Sequence, residues 1–459
     1  MAIINIALIL LCTGLCLQVI YIILRHDEFG FYLLFTVSFT PGLMELCNIQ
    51  AAIPKGIGYL IALLLFFKAV GQSLSVRRRM RFFGLKTMIC VLWLAVISAM
   101  YNGKSLLETA VFLQYIVPAY LFFLSLLNLD FSPQKVSRFI MFWIAVQLPA
   151  ILVKAVVLGV SEKGGIGTMS LGEGSVSVIF PMLVTCFLAA ALFSTGDIRY
   201  VILIGCYVGF GLIGEKRAVM IFLPLTVFLT FVLWWKLNRL TAWLTRCVIL
   251  GASAVVVIGF LSLYATIRVC PDLNPDHTVG GRFDMDYAAD FATQYLSEDY
   301  KLNRLTVILN THRLLSKRWI HYLIGFGPGD VTGSRFTAVD DSENPIDDKY
   351  ELGYGGRTGA IWFWIQTGIL SSIVYLAFHF LIFAHVFRGF EWLKNQRDQI
   401  LALGFLASVL VFTIDYLSYS RCMIQVSCLV YTYYYFASVV IRCSWRTGAA
   451  VSTLPEKVY

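Results

Sequence analysis

The residues of this sequence best placed to do chemistry are arginines. Arg217 closes Gly214-Glu-Lys-Arg217, a charged turn joining two apolar runs with almost no spare chain. Arg282 follows Gly280 and Gly281, Arg304 opens an amphipathic stretch, and Arg357 ends Gly353-Tyr-Gly-Gly-Arg357 directly before another apolar run. A guanidinium binds phosphate oxygens through paired N–H bonds, keeps its charge when partly buried, and can stabilise charge on a departing group. Several of them where apolar runs meet polar segments suit a lipid-linked diphosphate. Such a group leaves without being protonated, so transfer from it needs no metal, although the acceptor hydroxyl still needs a base.

Other residue types fill out the pattern. Lys216 and Tyr354 stand beside the arginines, and Glu173 in Gly172-Glu-Gly174 is a possible base. Gly164-Gly-Ile-Gly167 lies nearby but lacks the lysine pattern of a phosphate loop. Asp284-Met-Asp286 resembles a two-carboxylate metal motif, but that spacing is common by chance, and the expected cofactor and metal content is none. Each feature has a plainer alternative. The turn at Arg217 could carry cations that snorkel to headgroups, the glycines before Arg357 could form a hinge, and each loop arginine could pair with a surface carboxylate. Arg304 and Arg313, nine residues apart, would face roughly opposite ways on one helix.

The elements that must hold these residues are set by composition. Hydrophobic residues make up 59% of the 459 and charged residues 14%, with a mean hydropathy of +0.77. A soluble domain needs more charge than that to cover its surface. Apolar runs long enough for a helix to cross a membrane recur along the chain, and the alternation of a membrane barrel is absent. Backbone hydrogen bonds must close within lipid, so the expected fold class is an all-α polytopic integral membrane protein. We place about 12–14 transmembrane helices, at 3–24, 30–46, 56–74, 85–101, 106–127, 136–158, 176–194, 198–214, 218–235, 247–267, 358–387, 400–417 and 422–441. The first run lacks a basic n-region and a small-residue cleavage site, so we read it as a retained helix. The run after Gly359 is long enough to hold a kink.

Lysines and arginines give the orientation. Loops after odd-numbered runs, with the tail, carry 18 of them, and the short loops after even-numbered runs carry 6. By the positive-inside bias, the odd loops and the tail are cytoplasmic and the long polar loop faces out. The net charge of +9 therefore reports orientation and not nucleic-acid binding. Most of the eleven cysteines lie inside apolar runs, and the long loop holds only Cys270, which excludes a disulfide framework there. The expected organisation is N-terminal helices over 1–158, helices with the basic turn over 159–268, the large loop over 269–357, C-terminal helices over 358–441 and a tail over 442–459.

Within the loop, Asn303 to Ile324 reads as one amphipathic helix whose apolar stripe is Leu305, Ile308, Leu309, Leu315 and Trp319. Gly325-Phe-Gly-Pro-Gly329 stops it. Asp340 to Asp348 reads as a solvated loop. Glu108, Lys154 and Asp415 fall toward the outer ends of their runs, and such charges usually face a cavity. We therefore expect a polar cleft there, while His379 and His385 read as packing residues.

Taken in order, Glu215-Lys-Arg217, the long loop with Asn303-Arg304 and Gly325-Phe-Gly-Pro-Gly329, its Gly-rich end, and Gln366-Thr-Gly-Ile-Leu370 resemble the O-antigen ligase/polymerase superfamily. The likeness covers about residues 160–390 and includes Wzy-type polymerases and WaaL-type ligases. It implies a GT-C-like membrane glycosyltransferase that polymerises repeat units carried on undecaprenyl diphosphate at the periplasmic face of a bacterial inner membrane. Arg217 matches that family's turn arginine and Arg304 its loop arginine. The family's histidine before the next span is absent, and Tyr354 and Arg357 stand there instead; His312 or His321 can substitute for it only if the loop folds back over the cleft. A ligase acting on a lipid core and a lipid-linked oligosaccharide flippase are the alternatives. Expected partners are the lipid-linked oligosaccharide, membrane lipids, a chain-length regulator and a flippase, with no nucleic acid.

Overall fold

The computed structural model describes residues 17–26, 28–47, 49–50, 52–76, 79–154, 167–169, 175–213, 218–238, 264, 267–268, 274–278, 280–287, 304–329 and 358–452. Among these residues the chain is helical, with no strand. In chain order the main helices are α1 (17–25), α2 (Phe29–Phe39), α3 (Pro41–Leu46), α4 (Ala52–Ser75), α5 (Leu85–Tyr101), α6 (Leu106–Leu113), α7 (Val117–Asn128), α8 (Pro133–Leu152), α9 (Val176–Thr195), α10 (Arg199–Ile213) and α11 (Ala218–Leu237). They continue as α12 (Arg304–Ser316), α13 (Trp319–Ile324), α14 (Gly359–Gly389), α15 (Gln396–Ile414), α16 (Cys422–Gln425) and α17 (Ser427–Ser452).

Among the described residues five helices are long and apolar enough to cross a membrane, and six if α6 and α7 form one bent span. The chain is a helical membrane protein. The run expected at 106–127 is not one straight helix, because α6 and α7 meet at 48°. Pro118, in the first turn of α7, cannot donate to a preceding turn, so the rod breaks ahead of it. Start and stop signals are local: Ser105 and Glu108 form a capping box on α6, and Gly196 at φ 72° ends α9 in the left-handed conformation.

α9 lies at the centre, packed against α10, α11 and α15. Nearly every residue from Val176 to Ala191 is buried, so α9 is apolar all round and has no lipid-facing stripe. A second group joins α14 to α5, and α7 to α4 and α17. Its core is aromatic: Phe123 packs on Phe378 and Tyr434, and Phe363 stacks on Tyr375 at 4.6 Å. His379 and His385 pack as expected. His379 stacks on Phe412 at 3.8 Å with Nδ1 3.0 Å from the Tyr433 hydroxyl, and His385 sits against Phe83 and Trp445.

Two buried cations close helix ends. Lys68 Nζ donates to the carbonyls of Ile23 (3.0 Å) and His26 (2.8 Å) at the end of α1. Arg442 Nη1 donates to Leu126 (2.9 Å) and Leu129 (2.8 Å) at the end of α7, with its guanidinium over the Phe131 ring. Carbonyls of a last turn have no partner within their own helix, and a cation there also meets the negative end of the helix dipole. The charge count assigned Arg442 to the tail; its side chain is instead buried in the bundle.

Candidate functional site

α14 is broken inside its apolar run, and the break positions the loop. Gly368 has φ 80° and ψ 171°, a backbone conformation open essentially to glycine alone. The helical bonds that the Ile365 and Gln366 carbonyls would otherwise accept are lost there. The loop supplies replacements. Phe326 N–H donates to Ile365 O (2.7 Å), Gly327 N–H to Gln366 O (3.0 Å), and Gly329 N–H to Gln366 Oε1 (2.8 Å). Gln366 O also accepts from Ser98 Oγ of α5 at 2.9 Å. A Cβ on Gly325 would lie 2.6 Å from the Gln366 carbonyl carbon, and one on Gly368 would meet the Leu323 carbonyl oxygen. Both glycines are therefore needed for close backbone approach. Gly325-Phe-Gly-Pro-Gly329, expected only to stop a helix, is a docking segment that satisfies the broken span.

The helix before this segment also differs from expectation. Residues 304–324 form two helices, α12 and α13, parted at Lys317 and Arg318. Val307, Thr311 and Leu315 make the buried face, while Ile308, Leu309 and Trp319 of the expected apolar stripe are exposed. Sequence periodicity picks out apolar residues, but a face at i, i+4 and i+8 containing Thr311 packs here. His312 is exposed, its ring 5.5 Å from Tyr322 and 6.5 Å from Trp364 at the start of α14. His321 lies 6.0 Å from Tyr101 and 5.0 Å from Phe326.

Of the sequence-derived site residues, Arg217, Lys216, Glu173, Tyr354 and Arg357 lie outside the described residues. Arg304 is described in its backbone, as the first residue of α12. Arg282 is exposed and pairs with Asp284 at 3.5 Å, while Asp284 Oδ1 accepts from Tyr287 N–H. Around it Arg268 donates to the carbonyls of Gly280 and Gly281. Gly167 belongs to a packed turn: Thr168 Oγ1 donates to Phe39 O at 2.7 Å, Gln147 Nε2 donates to Thr168 Oγ1 at 2.8 Å, and the Gln147 side chain fills the space beside Gly167. That glycine faces a protein side chain and offers no open backbone to a ligand.

The described flanks of the two outlying arginines converge. Phe222, near the start of α11 and close in sequence to Arg217, packs on Tyr419 with ring centroids 5.3 Å apart. Gly359 N–H, two residues after Arg357, donates to Ser420 O at 2.9 Å. Tyr419 and Ser420 are consecutive: Tyr419 ends a π-helical turn, Asp415–Tyr419, that continues α15, and Ser420 follows it ahead of α16. Asp415 builds this turn: fully buried, it accepts from Ser420 Oγ and, at 2.9 Å, from Met423 N–H. The expected cleft therefore loses Asp415 as a free charge. Glu108 likewise caps α6, accepting from Ser105 N–H at 2.7 Å. Arg421 follows Ser420 directly and begins the α16 turn. It was counted only as a loop cation, and no sequence signal ties it to positions about 60 and 200 residues away.

Among the described residues no group of three or more His, Cys, Asp and Glu side chains is arranged to hold a metal ion. A scan against protein-family models and a search of curated proteins both find no match to the chain.

Proposed function

We propose that the chain is a membrane glycosyltransferase that polymerises oligosaccharide repeat units carried on undecaprenyl diphosphate, at the periplasmic face of a bacterial inner membrane. The observation that carries this reading is the convergence on Tyr419 and Ser420. Stretches of chain flanking Arg217 and Arg357 meet at one turn, and the loop that begins its helices at Arg304 is pinned to the same span, α14. Arginines carried by stretches that lead to such a turn suit an amphiphile whose diphosphate sits at the membrane surface.

In the proposed reaction the bond between the sugar's anomeric carbon and the diphosphate oxygen breaks, and the electron pair leaves with the diphosphate. The acceptor hydroxyl, at the non-reducing end of a new unit, forms the glycosidic bond and gives its proton to a base, Glu173 or His312. Arg217, Arg304 and Arg357 bind the diphosphates and stabilise the leaving charge, with Arg282, Lys216 and Tyr354 contributing to binding.

Purified protein supplied with lipid-linked repeat units alone tests this. A ladder of lengthening products is expected, and Arg217→Ala should slow it on the order of a hundredfold. Transfer that appears only after a lipid-core acceptor is added would identify a ligase. No transfer under either condition, or a wild-type ladder from Arg217→Ala, would refute the assignment.

A further inference from the structure

α12 and α13 leave one face uncovered, and its composition is specific. Leu309 is 65% exposed and Trp319 72%, with Ile308 exposed beside them. Arg313 follows Leu309 by one four-residue step on α12, so the two share one side of that helix, and Lys317 and Arg318 stand at its break from α13. All three cations are exposed and none makes an ion pair among the described residues. In water, exposed leucine and tryptophan gain nothing, and clustered cations repel. At the boundary of a bilayer both are favourable.

The position of this face fits that boundary. Ile89, Trp93, Ile97 and Tyr101 of α5 are exposed at four-residue steps, which marks an apolar stripe running to the end of that helix. The stripe ends where Tyr101 meets His321 of α13, two residues from Trp319. Asn102 Nδ2, just past α5, donates to Gly325 O at 3.2 Å and fixes α13 at that level. α13 thus stands at the end of the stripe, at the level where the apolar helix gives way to the loop.

We infer that α12 and α13 form an interfacial clamp: Ile308, Leu309 and Trp319 enter the leaflet on the loop's side, and Arg313, Lys317 and Arg318 bind anionic phospholipid headgroups. The clamp holds the loop against α14. This inference does not depend on the glycosyltransferase reading or on which side of the membrane the loop occupies.

Hydrogen exchange of the α12–α13 amides, with the full chain in nanodiscs of phosphatidylcholine alone or mixed with phosphatidylglycerol, tests the clamp. Each cation near an anionic surface is expected to shift a local opening equilibrium about fivefold. Anionic nanodiscs should therefore slow exchange markedly, and Arg313→Gln, Lys317→Gln and Arg318→Gln together should remove the difference. High salt should also remove it in the unaltered protein, a measurement that does not depend on the variant folding. Equal exchange in the two lipids, or a difference that survives both the triple substitution and salt, would overturn the inference. If inorganic phosphate in phosphatidylcholine nanodiscs slows exchange as much as phosphatidylglycerol does, the face binds free phosphate and the lipid assignment fails.

Discussion

Lys68 and Arg442 close helix ends with buried cations at one end of the bundle, whereas at the other end the Ile365 and Gln366 carbonyls are met by backbone N–H groups of Phe326 and Gly327. The two solutions differ in what they leave available. A cation used as a cap is spent on structure: Arg442 serves two carbonyls and an aromatic ring at once. At the loop end the capping is done by backbone and by Gln366, Ser98 and Asp415, none of them cationic. In our proposal Arg217, Arg304 and Arg357 serve an anionic ligand rather than a helix end. Capping by backbone requires very close approach, which is why Gly325 and Gly368 stand where these segments meet.

The largest test of the contrast is Gly368→Ala. The positive φ and the Leu323 carbonyl leave no room for a Cβ, so a loss of about 3 kcal/mol or more is expected. Thermal unfolding in detergent measures it, and proteolysis should become faster in the loop before it does in α9. An unchanged melting temperature would mean that the break does not anchor the loop. Next comes Arg442→Met, which leaves two buried carbonyls unmet and should cost about 2–4 kcal/mol. In contrast to Gly368→Ala, it should destabilise the bundle while the loop's protease resistance stays in step with global unfolding. Early release of the loop in this variant would blur the distinction between the two ends. The smallest effect is expected from Ser105→Ala, which removes one half of the capping box at the exposed start of α6 and should cost about 1 kcal/mol. A much larger loss would show that the α6 turn supports the docking segment, since Gly329 lies against Glu108.

Much of the helical frame was legible because apolar length and Lys/Arg placement are local properties. α4, α5, α9 and α10 fall close to the expected runs, and the kink in the run after Gly359 was foreseen from its length. The loop helices show the limit. Their existence followed from periodicity, but Thr311 faces the core while Leu309 and Trp319 do not, because the buried face is chosen by what α14 presents. The candidate site was legible only as a set of separate motifs. Nothing in the spacing of Phe222, Gly359, Tyr419 and Ser420 announces that they meet.

By itself the sequence determined a helical membrane chain, the approximate positions of many of its helices, and a helix stop at Gly325, because each follows from hydrocarbon solvation or backbone sterics within a short stretch. Only the tertiary structure decided which carbonyls Gly325 and Gly368 approach, that Asp415 and Glu108 serve turns, and which face of α12 is left open. These depend on how the elements dock once the chain has folded, and a partner's surface is not encoded in the spacing of the residues that dock on it.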